Sequence, residues 1–160
     1  MGIERKFLVL YVPSNLNIVS EYEIYQNYMA TGKEEVRMQA TYAPGSKDYT
    51  LTVKSGDGLV QEKISTVITG DTYREIAKSL NKIPIAKNRK IVELGGYTLE
   101  LDTYLNTGLD NLMIVGTEFD SLEDSYEFRP PAWFGEEVTA TNQLDNQRLW
   151  VLLQEDSNPP

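Results

Sequence analysis

The feature that most restricts the fold is an alternation of period two in which one phase carries charge. In Tyr49-Thr50-Leu51-Thr52-Val53-Lys54 the residues Tyr49, Leu51 and Val53 share one face and Thr50, Thr52 and Lys54 share the other, because successive side chains of a strand point to opposite sides. Ile3, Arg5, Phe7 and Val9 likewise oppose Gly2, Glu4 and Lys6, and Tyr97, Leu99 and Leu101 oppose Thr98, Glu100 and Asp102. Further strands are expected at 21–29, 34–42, 59–68, 83–94 and 111–119, separated by turns such as Pro44-Gly45-Ser46, Ser55-Gly56-Asp57-Gly58 and Gly95-Gly96. Helices are fewer. Thr72 and Glu75 make a capping-box pattern before the stripe Tyr73, Ile76, Ala77 and Leu80, a short helix is expected from Ser121, and a last one over Leu144 to Leu153. The coarse expectation is a mainly β (α+β) chain of about eight antiparallel strands, closed or strongly curled with helices outside, as a single domain over 1–154 with a flexible tail at 155–160.

Such alternation has two readings: a solvated outer sheet face, or a closed barrel whose polar phase points inward. The charge content favours the second. Lys6, Arg37, Lys54, Lys87 and Arg89 are spread over several strands, as are Glu4, Glu100, Asp102 and Glu118. The formal net charge is −9, from 15 Lys plus Arg against 24 Asp plus Glu. Basic residues concentrate before Gly95, where the net charge is +2, and the remainder carries −11. This balance excludes a broad surface for duplex nucleic acid, which needs many phosphate-neutralising side chains. The chain has no His and no Cys, so disulfides, thiolate or imidazole catalysis and His- or Cys-ligated metals are excluded, leaving hard cations held by oxygen. The N-terminal MGIERKFLVLYV lacks the apolar core of a signal peptide, and no apolar run approaches the ~18 residues needed to span a bilayer. The expectation is a soluble, cytoplasmic protein with no membrane partner.

Several segments, in order, resemble the CYTH domain, the triphosphate tunnel metalloenzyme family. Gly2-Ile3-Glu4-Arg5-Lys6-Phe7-Leu8-Val9 resembles its opening ExExK motif, Tyr49 to Lys54 its YLTIK strand, and Lys87-Asn88-Arg89 its KTR. Gly95-Gly96-Tyr97-Thr98-Leu99-Glu100-Leu101-Asp102 is similar to GGYTWEID, Val115-Gly116-Thr117-Glu118-Phe119 to AEVEF, and Trp133 to Thr139 to WLGREVT. The resemblance implies an eight-stranded antiparallel β-tunnel in which cations bind a triphosphate, carboxylates hold Mg2+ or Mn2+, and water attacks phosphorus. By the same resemblance the phosphate-binding set is Lys6, Arg37, Lys54, Lys63, Lys87 and Arg89, and the metal set is Glu4, Glu100, Asp102 and Glu118. Glu137 is assigned to structure.

The departures from the family pattern are specific. Gly2 and Gly116 stand where carboxylates are usual, and Glu35 stands where an Arg is usual before Arg37. The RxExE segment becomes either Gln61, Lys63 and Ser65 or Val60, Glu62 and Ile64, according to register. Three of four carboxylate pairs are broken and only Glu100 with Asp102 is whole. The leading expectation is therefore a protein that binds a phosphorylated nucleotide, triphosphate or polyphosphate, sensing or sequestering it with hydrolysis weak or lost, and with Mg2+ or Mn2+ or no metal at all. The alternative is a Mg2+- or Mn2+-dependent triphosphatase acting on tripolyphosphate, thiamine triphosphate or nucleoside triphosphates; adenylate cyclase activity is a third reading.

Overall fold

The computed structural model describes residues 2–56, 59–109, 111–139 and 145–157. Along the chain lie β1 (Gly2–Val9), β2 (Asn17–Ala30), β3 (Glu34–Ala43), β4 (Ser46–Ser55), β5 (Val60–Val67), α1 (Gly70–Leu80), β6 (Ile85–Leu94), β7 (Tyr97–Tyr104), β8 (Met113–Phe119), α2 (Leu122–Glu127), β9 (Phe134–Glu137) and α3 (Asn146–Ser157). The strands pair antiparallel in the order β5-β4-β3-β2-β6-β7-β8-β1, and β1 returns to β5 through Gly2↔Gln61 and Ile3↔Val60. The result is the expected closed eight-stranded barrel with helices outside. The ring closes through these two residue pairs, which ties the ends of the sheet together as in other closed antiparallel barrels.

The β1–β5 seam is short, and a ninth strand completes it. Beyond Ile3 the free edge of β1 is taken by β9, through Phe7↔Glu137 and Val9↔Phe134, and Val138 donates its N–H to the Lys6 carbonyl at 2.8 Å. Four residues are too few for alternation to register, so β9 was not foreseen.

The two phases of each strand have opposite fates. Apolar residues face outward, where Ile3, Phe7, Val92, Leu99, Leu101, Val115 and Phe119 pack with Phe128, Trp133 and Phe134 around α2, while Met38 and Ala40 pack under Tyr73 of α1. The polar phase faces the barrel interior. α3 closes one end by seating Leu149, Trp150 and Leu153 on Tyr28, Ile85, Tyr104 and Ile114.

Local signals set the helix ends, with one displaced. α1 begins a turn before the expected capping box: Thr69 is extended (φ −76°, ψ 157°) and its Oγ1 accepts the Thr72 N–H at 3.0 Å. Thr69 is thus the N-cap and Thr72 is inside the first turn, since a cap needs non-helical backbone with its oxygen turned to the amide three residues on. The stop is Asn81, whose left-handed backbone (φ 49°) suits Asn. Ser121 caps α2 through the Asp124 N–H. α3 starts at Asn146 and runs through Ser157, so it includes the first residues of the segment expected to fray. Leu144, the Asp57-Gly58 turn and residues 158–160 lie outside the described residues.

Thr69→Ala should lower the free energy of unfolding by about 1 kcal/mol in urea titration, and Thr72→Ala by less. The reverse ranking would return the cap to Thr72.

Candidate active site

The inward phase of the barrel carries the candidate residues of the sequence reading into one cavity of about 160 Å³. All six cations (Lys6, Arg37, Lys54, Lys63, Lys87, Arg89) and all four acids (Glu4, Glu100, Asp102, Glu118) line it. The open register of β5 is settled: Gln61, Lys63 and Ser65 line the cavity, paired in register with β4 through Lys54↔Lys63 and Thr52↔Ser65.

Its deepest part is a charge cluster. Asp102 takes Lys87 Nζ at 2.9 Å and Arg89 at 2.8 Å through Nε and 2.9 Å through Nη2, while Arg89 Nη1 reaches Glu100 at 2.5 Å. Burial alone would raise the Asp102 pKa, but Lys87 and Arg89 outweigh it and hold the carboxyl well below the usual range. Arg89 is buried, which works against its charge, yet Asp102 and Glu100 hold its pKa above the ordinary value. For Lys87 burial wins and, despite Asp102, brings the ammonium down to about 8.

Asn146 is a cavity-lining residue that sequence reasoning missed. Its Oδ1 accepts from Lys87 Nζ at 3.2 Å and from the Tyr104 hydroxyl at 2.9 Å, while its Nδ2 donates to Gln26 Oε1 at 2.8 Å and the Tyr28 hydroxyl at 2.5 Å. One carboxamide thereby uses four hydrogen bonds to tie α3 to the floor of the cavity. Asn146 is the first residue of α3, and the helix is capped by Asp145, whose Oδ1 accepts the Arg148 N–H at 2.8 Å.

Nearer the mouth, one oxygen from each of Glu4, Glu100 and Glu118 lies within 4.8 Å of the others. Lys6 Nζ stands 3.5 Å from Glu4. Burial would raise the Glu4 pKa, but Lys6, with Lys54, Arg89 and Lys63, brings it below the ordinary value, so the carboxylate is ionised at neutral pH. Asp102, grouped with these acids in the sequence reading, is committed instead to Lys87 and Arg89. Arg37 pairs at 3.5 Å with Glu35, whose other oxygen accepts from Gln147 of α3 at 3.1 Å. Arg37 Nε and Glu35 Oε2 have no hydrogen-bond partner, so this contact is a long electrostatic one. Glu137 lies outside the barrel, held by Arg5 at 2.8 and 2.9 Å.

A closed antiparallel tunnel lined inside by opposed cations and carboxylates defines the class of triphosphate tunnel proteins. The chain belongs to this CYTH family. It is 31% identical over 149 residues to the inorganic triphosphatase of Nitrosomonas europaea, covering 92% of this chain and 95% of the relative. It is also similar to the crystal structure of the inorganic triphosphatase NE1496 at a TM-score of 0.65 and 29% identity, covering 94% of this chain and 95% of the other. The fold is shared by HpAC1 from Hippeastrum at a TM-score of 0.62 and 14% identity, over 79% of this chain and 83% of the other. No family model matches the chain. These comparisons support the triphosphatase alternative of the sequence reading, and they do not support weak or lost hydrolysis. No helix among the described residues is long and apolar enough to cross a membrane.

The buried lysines give a pH dependence. Lys54, like Lys87, is brought down to about 8, first by burial and then by Lys6. Their folded-state values lie below the ~10.4 of a free lysine, so keeping them charged destabilises the fold below pH 8 and that cost fades as pH rises toward ~10.4. An anion drawn into the cavity favours the charged form. Sulfate binding at about pH 8.5 should therefore take up protons, read by calorimetry in buffers of different ionisation enthalpy, and at about pH 6.5 it should not. Equal heats in all buffers at both values would contradict this.

Proposed function

We propose that this chain is a divalent-metal-dependent triphosphatase whose substrate is inorganic triphosphate. The observation that carries the reading is the convergence of Glu4, Glu100 and Glu118 from β1, β7 and β8 on one side of a cavity otherwise rich in cations. Counting acids in pairs along each strand undercounts the donors, because an inward-facing site is assembled across strands. An all-oxygen carboxylate set suits Mg2+ or Mn2+, and with Glu4 held ionised by its neighbours the set fits such an ion. The ion, when bound to Glu4, Glu100 and Glu118, supplies Lewis-acid polarisation of phosphoryl oxygens.

The chain's own residues bind and orient. Phosphoryl transfer passes through a loose transition state and asks the protein chiefly for positioning and charge neutralisation. Arg89 is fixed by Asp102 and Glu100, and Lys87 by Asp102 and Asn146, so both face the substrate without reorganising. Lys6, Lys54 and Arg37 complete the ring. Water attacks the terminal phosphorus, the bond to the bridging oxygen breaks, and the products are phosphate and pyrophosphate. The size of the cavity supports the inorganic substrate. It is closed at one end by α3, and its one aromatic lining residue among those described, Tyr104, is buried with Lys87 Nζ 5.3 Å from its ring centroid, which leaves no open ring face on which a base could stack.

Phosphate release from tripolyphosphate with Mg2+ or Mn2+ should show multiple turnover that EDTA abolishes, faster than release from ATP or thiamine triphosphate. Glu118→Gln, at an exposed position, should weaken Mn2+ binding at least about tenfold and slow turnover. Tight tripolyphosphate binding with no turnover under any metal would restore the binding-only reading. Separately, Gly116→Glu should strengthen Mn2+ binding, because a Cβ there meets Lys6 Cγ at 3.6 Å and Glu4 Oε2 at 3.8 Å, ordinary contacts that admit a further carboxylate beside Glu4. Unchanged Mn2+ affinity would place the metal elsewhere.

A further inference from the structure

We infer that Thr139 and Glu137, outside the barrel, are positioning residues for β1: with Arg5 they close a hydrogen-bonded ring on the Arg5–Lys6 peptide and so fix the aim of Glu4 and Lys6 into the cavity. The inference rests on the triphosphatase reading and adds what holds the strand that brings a metal ligand and a phosphate ligand into the site.

β1 changes partners along one edge at the place where these two residues stand. The Glu4 N–H donates to the Leu59 carbonyl at 3.1 Å, next to the short β5 seam, and the Leu10 N–H donates to the Trp133 carbonyl at 2.9 Å, next to β9. The register with β9 also shifts between Phe7 and Val9. Lys6 lies between the two pairings. Its carbonyl accepts the Val138 N–H at 2.8 Å, but its own N–H donates to a side chain, Thr139 Oγ1, at 3.1 Å. A hydroxyl thus takes the place of a ladder carbonyl beside two residues of the site.

A hydroxyl left to itself rotates to suit its neighbours, whereas this one is fixed. Thr139 Oγ1 donates to Glu137 Oε2 at 2.6 Å, and the same carboxylate accepts Arg5 Nε at 2.9 Å and Arg5 Nη2 at 2.8 Å. Arg5 Nη1 continues to the Ser125 carbonyl of α2 at 2.7 Å. Hydrogen bonds from Arg5, and after it from Thr139, hold the Glu137 carboxyl below its ordinary pKa despite its partial burial, so it accepts from both at neutral pH. Because Arg5 and Lys6 share a peptide bond, the path from the Arg5 side chain through Glu137 and Thr139 to the Lys6 N–H returns to its start. Bonds linked in this way polarise and strengthen one another, and the peptide plane inside the ring has little freedom to tilt. Successive side chains of a strand point to opposite faces. With Arg5 tied down outside, Glu4 and Lys6 are therefore held inward, Glu4 within the Glu4–Glu100–Glu118 group and Lys6 Nζ 3.5 Å from it.

The test uses the whole chain and reads binding rather than turnover: Mn2+ alone by electron paramagnetic resonance, and tripolyphosphate in EDTA by calorimetry. Thr139→Val keeps the side-chain shape and removes both hydrogen bonds. It should weaken Mn2+ binding about tenfold, the loss typical of a group that orients a ligand, and it should weaken tripolyphosphate binding in the same direction. Thr139→Ser, which keeps the hydroxyl, should restore both affinities. Amide exchange at Lys6 should be faster in Thr139→Val than in the parent or in Thr139→Ser. Unchanged affinity for either ligand in Thr139→Val, or a Thr139→Ser protein that binds as poorly as Thr139→Val, overturns the inference. Should Thr139→Val not fold, Glu137→Gln carries the test: it weakens Mn2+ binding if the ring positions Glu4, and unchanged Mn2+ affinity overturns that role. Weakened binding rescued by Ser in a protein without turnover upholds the positioning role while the triphosphatase reading fails. Unchanged binding in an active enzyme does the reverse.

Discussion

The group formed by Lys87, Asp102 and Arg89 is the interaction on which the rest of this structure depends. A barrel that turns its apolar phase outward has to keep charge inside, and removing ions from water costs several kcal/mol each unless they are paired and hydrogen-bonded. Asp102 answers two cations at once, Arg89 uses three of its nitrogens on two acids, and Asn146 accepts from Lys87. Breaking one member would leave the others buried and uncompensated. The floor of the cavity is rigid for the same reason that it is charged.

That rigidity has a functional sense. Catalysis by charge neutralisation is effective when the charges are already in place and need not move to meet the substrate. The charges vary in how firmly they are held. Arg89 and Lys87 are locked from below, Lys6 and Arg37 have longer contacts at 3.5 Å, and Lys54 and Lys63 face each other across β4 and β5.

The outer shell makes this interior possible. Leu99, Leu101, Val115 and Phe7 are buried against α2 and the Phe128–Phe134 segment, so much of the hydrophobic burial that drives folding lies outside the sheet, with a further apolar cluster where α3 plugs the end of the barrel. α1 covers β3 and β4 in the same manner, and α3 has the separate task of stopping one end of the tunnel. An acidic chain can therefore enclose a cationic site: the acids after Gly96 that lie outside the cavity, such as Glu123, Asp124 and Glu127 on α2, belong to the exterior.

Much of this was legible in the sequence. Alternation by itself determined the strands and which residues share a face, and the charges on one phase determined that this face would be polar and interior. Lys6, Lys54, Arg89, Glu4 and Glu118 could be named because each lies on that phase within a recognisable segment. What period two cannot carry is the relation between strands. The register of β5, the four-residue β9, the commitment of Asp102 to Lys87 and Arg89, and the meeting of Glu4, Glu100 and Glu118 all depend on neighbours distant in sequence. Asn146 is the clearest instance, since its four partners come from β2, β6 and β7 and nothing adjacent to it in the chain announces them. The sequence determined which side chains face inward; only closure of the barrel decided which of them meet, because a ligand set drawn from several strands exists only when those strands are side by side.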